Sequence, residues 1–337
     1  MLNITLYTQQ NNPACEQIKK DLDELREQYP HRIIEVDIDT DALLKVKYNK
    51  VVPILEVGPY SLKGAVTKQK LQMTLGAASD RKNQLEKLED PEYKIRVQRG
   101  KTVTIGDKIS FWISKRYLLL LNLFMLLYVG FPFLAPTLMK LGAQTPAKVI
   151  YKMYSPLCHQ FGFRSFFLYG EQPFYPLAEA HVDDYKTFEQ VTGISDLDNP
   201  YSVTRFEARN FIGNEITGYK IALCERDVAI YFAILGFGIF FGLTGRKLKS
   251  LHFIAWMLLG IAPIGFDGFS QLLSQFNWEW LSALIPYRES TPFLRALTGA
   301  LFGLFTAWFA YPNIEESMNE TRQYYIKKFA VNEQVKE

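Results

Sequence analysis

The sequence predicts an α/β domain followed by an all-α domain of four transmembrane helices. Short alternating strands and helices are expected before residue 80. Residues 76–116 are rich in charged side chains, whereas residues 117–136 and 228–311 are dominated by Leu, Phe, Ile, Gly and Ala. A soluble domain joined to a membrane domain produces such a change in composition. The overall values of 48% hydrophobic and 22% charged residues average over these two parts.

Residues 1–78 are predicted to form the α/β domain. Residues 2–7 alternate as a strand, and Asn12 and Pro13 suit the N-cap and first position of a helix over residues 14–28. The following elements are a strand at 33–38, a helix at 41–48, strands at 51–57 and 60–62, and a helix at 67–75. The order βαβαββα is that of the thioredoxin fold.

A family resemblance rests on three features of this domain. A Leu-Tyr-Thr strand end at residues 6–8 leads to Cys15 at the first helix, and Val52-Pro53 opens a later strand. With these features the domain resembles the glutaredoxin-like family. The resemblance implies that Pro53 is cis and faces a Cys-x-x-Cys motif, and we take Pro53 as the candidate cofactor-binding residue.

The catalytic motif of that family is incomplete in this chain. Aligning Cys15 with the second motif cysteine puts Asn12 at the position of the nucleophilic cysteine. Such a nucleophile depends on a helix N-terminus that lowers its thiol pKa, and Asn12 has no sulfur, so classical dithiol glutaredoxin activity is not expected. Two interpretations stay open. Cys15 is either the catalytic residue of a one-cysteine oxidoreductase or, as we favour, a buried hydrophobic side chain in a docking or regulatory module.

Residues 79–116 are predicted to be a charged linker that ends in an interfacial segment at 105–113, since aromatic side chains there lie beside Lys115 and Arg116. The four predicted spans cover residues 117–135, 228–243, 251–273 and 292–311, close to the ~20 apolar residues that cross a bilayer. Pro132 and Pro136 predict a kink or an end of the first span. Gly299 and Gly303 have the spacing of a small-xxx-small contact face.

The distribution of basic residues predicts the orientation. Lys115 and Arg116 precede the first span, and three further basic residues lie at 246–249, between the second and third. The positive-inside rule makes both sites cytoplasmic. We therefore expect a multi-pass cell-membrane protein with a membrane domain at 117–312, outward-facing segments at 142–227 and 276–291, a cytoplasmic tail at 313–337, and both termini in the cytoplasm.

These features limit the expected partners. The lipid bilayer is one partner, and a cytoplasmic protein or thiol compound is expected for residues 1–78. A net charge of +3 with dispersed basic residues argues against nucleic acid. The sequence predicts no particular oligomeric state.

Polar residues of the spans are predicted at similar depth near the outer face. Asp267 lies sixteen residues after Leu251, about 24 Å along a helix, while Arg295 is in the outer turns of the fourth span. A charge inside a span is usually paired. We therefore predict an ion pair between Asp267 and Arg295, with Arg226 and Asp227 as competing partners.

A second resemblance rests on the order of four motifs. They are Cys158-His159-Gln160 followed by Arg164-Ser165-Phe166-Phe167, Cys224-Glu225-Arg226-Asp227, Asp267-Gly268 with Gln271, and Ser290-Thr291 with Arg295 and Thr298-Gly299. In this order they resemble a family of predicted prokaryotic membrane proteins with a domain of unknown function, over about residues 115–318. The resemblance implies a location and a site but no reaction. Residues 171–218 are an additional segment between the cysteine motifs.

Three interpretations of Cys158, His159 and Cys224 stay open. The cysteines form a disulfide on an oxidising face, closing a loop of about 65 residues and stabilising the fold by about 4 kcal/mol. Alternatively, Cys158, His159 and Cys224 bind zinc with Asp267 or water as the fourth ligand. In the third, Cys158 is a redox-active or nucleophilic thiol assisted by His159.

The leading hypothesis is a thiol- or redox-associated membrane protein. Its outer catalytic cluster is predicted to contain Cys158, His159, Cys224, Arg226, Asp267 and Arg295. The alternatives are a non-enzymatic membrane scaffold with a Cys158–Cys224 disulfide and a docking domain, and a metal-dependent membrane enzyme or small-solute carrier. Direct thiol exchange between this cluster and Cys15 is not expected, because a hydrocarbon core of ~30 Å separates them.

Overall fold

A computed structural model describes residues 1–337 except 41–44, 46–47, 89–90, 101, 198, 200–201, 277–286 and 334–337. The helix predicted over residues 41–48 lies, apart from Lys45 and Tyr48, outside the described residues. The chain divides into two units, Met1–Lys115 with Met318–Glu337, and Arg116–Ser317.

Four strands form a mixed sheet in the first unit. The strands are β1 (Leu2–Thr8), β2 (His31–Asp37), β3 (Ile54–Val57) and β4 (Tyr60–Lys63), and the helices are α1 (Pro13–Glu24), α2 (Lys68–Lys87) and α3 (Pro91–Gly100). The strand order is β2-β1-β3-β4, with β1 parallel to β2 and antiparallel to β3, and β3 antiparallel to β4. This arrangement confirms the predicted thioredoxin-like α/β fold.

The core of this sheet is apolar and forms against α1 and α2. Ile4 of β1, Ile18 and Leu22 of α1, and Leu71 and Leu75 of α2 are all buried. The two helical pairs are four residues apart and so share one helix face. Burial of this face against the sheet is the main stabilising contribution to the domain.

Two local features of the first domain match the sequence prediction. The Asn12 side chain accepts a hydrogen bond from the Ala14 N–H at 3.0 Å and caps α1. The Val52–Pro53 peptide bond is cis. The helix predicted at 67–75 is longer than expected, since α2 continues to Lys87.

The membrane-domain helices and a small second sheet complete the fold. They are α4 (Ile105–Lys140), α5 (Gln144–Tyr154), β5 (Ser165–Leu168), α6 (Phe188–Thr192), α7 (Thr204–Asn210), β6 (Gly213–Asn214), β7 (Gly218–Cys224), α8 (Glu225–Leu243), α9 (Phe253–Ser274) and α10 (Pro292–Glu333). Among the described residues, α4, α8, α9 and α10 are long and apolar enough to cross a membrane. This agrees with the four predicted spans.

Prolines do not end these helices. α4 continues through Pro132 and Pro136 to Lys140, so the predicted end at these prolines is wrong. α9 contains a wide π-type turn at Met257–Ile261, just before Pro263. Such a turn accommodates the hydrogen bond that a helical proline cannot donate.

Glycines allow α8 and α10 to approach closely. A Cβ atom at Gly303 would overlap the carbonyl group of Ile230, and one at Gly299 would lie 2.6 Å from the carbonyl oxygen of Arg226. Gly299 and Gly303 therefore form the predicted small-xxx-small face. This contact fixes the start of α8 against α10.

The segment between α4 and α8 is folded. β7 pairs with β5 and β6 in an antiparallel sheet of order β5-β7-β6. Phe163, Phe167, Tyr175 and Phe188 are buried in an aromatic core beside it. Because β7 runs directly into α8, the end of this sheet positions the start of a candidate span.

The last turns of α10 belong to the first unit. Ile326 packs against a cluster that contains Tyr7 and Ile54, and Lys327 forms an ion pair with Glu56. Both ends of the chain therefore contribute to one unit.

Candidate functional site

Cys158 and Cys224 lie next to each other. Cys158 follows α5, and its N–H donates to the Tyr154 carbonyl at 3.0 Å. Cys224 ends β7 and caps α8, where its sulfur accepts a hydrogen bond from the Asp227 N–H at 3.5 Å. The Cys224 N–H donates to the Cys158 sulfur at 3.2 Å. Both thiols are free, and their sulfur atoms lie within 4.8 Å of each other.

The surroundings favour a thiolate at Cys158. Hydrogen bonding from the Cys224 thiol lowers the pKa of Cys158, and the backbone N–H groups of Gln160 and Cys224 add to this effect against the opposing effect of burial. The pKa of Cys224 is raised well above its usual value, because its thiol donates a hydrogen bond to Cys158 and is buried. The two thiols therefore titrate as a pair in which Cys158 loses its proton first.

Lys220 is a buried charged residue near this pair. It lies on β7, and its Nζ atom donates to the carbonyl oxygens of Gln160 at 2.6 Å and Arg209 at 2.5 Å. Burial lowers the pKa of Lys220 to about 7, although the charge of Cys158 acts in the opposite direction. Lys220 was not predicted from the sequence, since one lysine in a short strand usually points to solvent.

The thiol pair could also contribute to a metal site. Cys158, Cys224 and Asp227 each bring one ligand atom into a group with mutual distances within 4.8 Å. Two thiolates and a carboxylate supply three of the four ligands of a tetrahedral zinc ion. The predicted ligands His159 and Asp267 are not in this group among the described residues. The His159 side chain is exposed and stacks on Phe161, with ring centroids 5.8 Å apart.

Asp267 is a buried carboxylate with several donors. Its Oδ2 atom accepts from Arg226 at 2.5 Å, and its Oδ1 atom accepts from Arg288 at 2.8 Å. The Ser290 hydroxyl lies 2.8 and 2.9 Å from the two oxygens. The predicted pair between Asp267 and Arg295 is therefore wrong, while Arg226, named as a competitor, is a partner.

Arg295 pairs with two glutamates instead. Its Nη1 atom donates to Glu225 at 3.2 Å, and its Nη2 atom forms an ion pair with Glu289. Glu289 also accepts two hydrogen bonds from Arg164, at 2.8 and 2.9 Å, and one from Gln271 at 2.8 Å. Burial acts to raise the pKa of Glu289, but Arg164 and Arg295 hold it below its usual value.

The ion pairs form two networks, one around Glu289 and one around Asp267, which adjoin because Glu225 precedes Arg226 and Arg288 precedes Glu289 in the chain; together we call them the ion-pair cluster. Its members are Arg164, Glu225, Arg226, Asp267, Arg288, Glu289 and Arg295. Each charge in the cluster contacts a charge of opposite sign, which offsets the cost of burying it. Glu289 and Arg288 were not predicted from the sequence as site residues. The only available signal was their position directly before the Ser290-Thr291 motif.

Cys15 and Pro53 lie in the first unit. Cys15 is 1% exposed, and burial raises the pKa of its thiol. A cavity of about 330 Å³ near the start of α1 is lined by Thr8, Gln9, Gln10, Asn11, Glu16, Lys19, Glu35 and Asp37. Neither Cys15 nor Pro53 lines this cavity. This environment favours the docking or regulatory interpretation of the domain.

Comparisons with known proteins agree with this division. The family described as "Glutaredoxin-like domain (DUF836)" matches residues 3–76, and the family described as "Predicted membrane protein (DUF2085)" matches residues 206–309. The second match includes Cys224 and Asp267 but begins after Cys158. No curated protein and no solved structure matches the chain. The chain therefore joins an N-terminal glutaredoxin-like domain to a C-terminal domain of that predicted membrane-protein family, as the two sequence resemblances predicted.

Proposed function

We propose that the protein is a membrane thiol–disulfide oxidoreductase whose redox pair is Cys158 and Cys224. The observation that carries the proposal is the adjacency of two free thiols, with the Cys224 N–H donating to the Cys158 sulfur at 3.2 Å. A pair in which one thiol stabilises the thiolate of the other is suited to thiol–disulfide exchange.

The proposed reaction transfers two electrons to a partner disulfide. Cys158 loses its proton to solvent, and its thiolate attacks one sulfur of the partner, forming a mixed disulfide and releasing one partner thiolate. Cys224 then gives its proton to that thiolate and attacks the Cys158 sulfur. The intramolecular disulfide forms, the second partner thiolate leaves and takes a proton from solvent, and the partner is reduced to a dithiol.

The ion-pair cluster has a positioning role in this proposal. Glu225 and Arg226 directly follow Cys224, and they pair with Arg295 and Asp267. These contacts fix the first turn of α8 and therefore the Cys224 sulfur that caps it. His159 has an exposed side chain and receives no role.

The proposed topology has both termini in the cytoplasm and the thiol pair at the outer face. The basic flanks of the spans support this orientation. The packing of Ile326 and Lys327 of α10 within the first unit also supports it, because four crossings return the chain to its starting side. Residues 1–78 then act as a cytoplasmic docking module for a protein or thiol partner.

The test measures oxidation of the purified full-length protein in detergent. We expect glutathione disulfide to convert the pair reversibly to a Cys158–Cys224 disulfide, seen as two fewer alkylation sites by mass spectrometry. Cys158→Ser and Cys224→Ser should each abolish this change, whereas the control Cys15→Ser should retain it. A pair that stays dithiol under every oxidant would contradict the proposal. A disulfide that resists all reduction would support the scaffold alternative.

A zinc site is a second candidate, favoured by the position of Asp227 near both sulfurs. Purified protein would then contain about one zinc per chain and resist alkylation at both cysteines until a chelator is added. Asp227→Asn should lower the zinc content without changing the number of thiols. Metal-free protein with fully alkylated thiols would exclude this candidate.

A further inference from the structure

A polar cavity lies beside the thiol pair. Its volume is about 150 Å³, and its lining residues are Tyr151, Lys152, Ser155, Gln160, Arg209, Asn210, Ile212 and Lys220. Three of these side chains are basic, and none of these eight described residues is acidic. The cavity therefore concentrates positive charge without a carboxylate in its lining.

The basic side chains have unused hydrogen-bond donors. Lys220 is 1% exposed and uses two donors for the carbonyl groups of Gln160 and Arg209, while an ammonium group has three. Arg209 donates from Nη2 to the Ser155 carbonyl at 3.0 Å and hydroxyl at 2.8 Å. Within the described part of the chain, no partner is found for its Nε and Nη1 atoms. Lys152 stands exposed on α5.

A buried ammonium without a counter-ion is costly, and an anion would offset this cost. The cavity lining offers Lys220 no carboxylate, and burial lowers the pKa of Lys220 although the charge of Cys158 opposes this effect. Guanidinium and ammonium groups together are the usual ligands of phosphate oxygens. A cavity of about 150 Å³ holds a benzene-sized molecule, which leaves room for one phosphate group but not for a nucleotide.

We propose that this cavity binds a phosphate group through Lys152, Arg209 and Lys220. The group belongs either to inorganic phosphate or to a phospholipid, since the elements around the cavity adjoin candidate spans. Lys152 lies on α5, directly after α4, and Lys220 lies on β7, which leads into α8. The site does not depend on the redox proposal, because neither cysteine lines the cavity.

The experiment measures binding to the full-length protein, purified in detergent without phosphate. Inorganic phosphate and a short-chain phosphatidylglycerol are titrated separately by calorimetry. Lys152→Gln and Arg209→Gln should each weaken binding about tenfold, as expected for loss of one charged hydrogen bond. Lys148→Gln is the matched control, because Lys148 is also exposed on α5 and lies outside the lining.

Each outcome decides the proposal. Binding of phosphate that falls in both variants but not in Lys148→Gln supports a free-anion site. Binding of the phospholipid alone, with the same dependence, supports a headgroup site. Absence of binding by both ligands, or binding that none of the variants changes, would overturn the proposal. Neither cysteine lines the cavity, so failure of the redox proposal in the oxidation test would leave this binding result unaffected.

Discussion

Replacing Glu289 by Gln tests whether the ion-pair cluster stabilises the membrane domain. Glu289 is 4% exposed and accepts hydrogen bonds from Arg164, Arg295 and Gln271. Gln has nearly the same volume, so the substitution removes charge without creating a cavity. It leaves Arg295, which is 3% exposed, with Glu225 as its remaining carboxylate partner.

The expected loss is large because a buried charge loses its counter-charge. Removing one member of a buried ion pair costs about 3–5 kcal/mol. Glu289 faces two arginines, so we expect Glu289→Gln to lower the free energy of unfolding by an amount in this range. The measurement is denaturant unfolding of the full-length protein in mixed micelles, followed by tryptophan fluorescence.

Two further variants define the result. Glu171→Gln removes a carboxylate from an exposed pair with Lys186 and should have no measurable effect. The double variant Glu289→Gln with Arg295→Met should be less destabilised than the sum of the single changes, because the two side chains interact directly. A loss below about 1 kcal/mol in Glu289→Gln would refute the reasoning. It would mean that water or other groups replace the interaction that the Glu289 charge makes with the two arginines.

Three further predictions concern helix contact, the thiol pair and pH. Gly303→Ala should lower the free energy of unfolding by about 1–3 kcal/mol, because the added Cβ overlaps α8. The control Gly236→Ala should have no such effect, because no atom lies within 4 Å of its added Cβ. Equal effects of the two variants would contradict the close contact between α8 and α10. Cys224→Ala should raise the pKa of Cys158 more than Cys224→Ser does, because Ser keeps a hydrogen-bond donor. The pKa of Cys158 is measured from its alkylation rate as a function of pH. Equal Cys158 pKa values in the two variants would contradict the role of the donor. Burial lowers the pKa of Lys220 to about 7, below the ~10.4 of an unfolded lysine, so the unfolded chain binds more protons between these values. The free energy of unfolding of the wild-type protein should therefore rise with pH from about 7 to 9, by up to about 1.4 kcal/mol per pH unit more than that of Lys220→Met. Equal slopes in the two proteins would contradict the lowered pKa of Lys220.

The folds of both domains followed from local patterns in the sequence. The thioredoxin-like fold could be predicted because its strands, helices and the Asn12 cap each have short-range signals. The four spans could be predicted because apolar runs near 20 residues have one physical explanation. Of the predicted kink or end at Pro132 and Pro136, the end is wrong, since a proline within a span does not require the helix to end.

The pairing of charges could not be predicted in the same way. Depth along a span placed Asp267 and Arg295 at one level, but contact also depends on which face each helix presents. Arg288 and Glu289 precede α10, where no periodic pattern indicates burial. Likewise, His159 follows Cys158 in the chain, yet its side chain is exposed while that of Cys158 is buried.

The reduction potential of the Cys158–Cys224 pair tests the central claim most directly. The Cys15→Ser protein is equilibrated in glutathione buffers of different potential, and the oxidised fraction is measured by mass after alkylation. The account predicts a reversible two-electron transition between about −120 and −270 mV, the range of dithiol oxidoreductases. Thiols that never oxidise, or a disulfide that stays formed below about −300 mV, would contradict it.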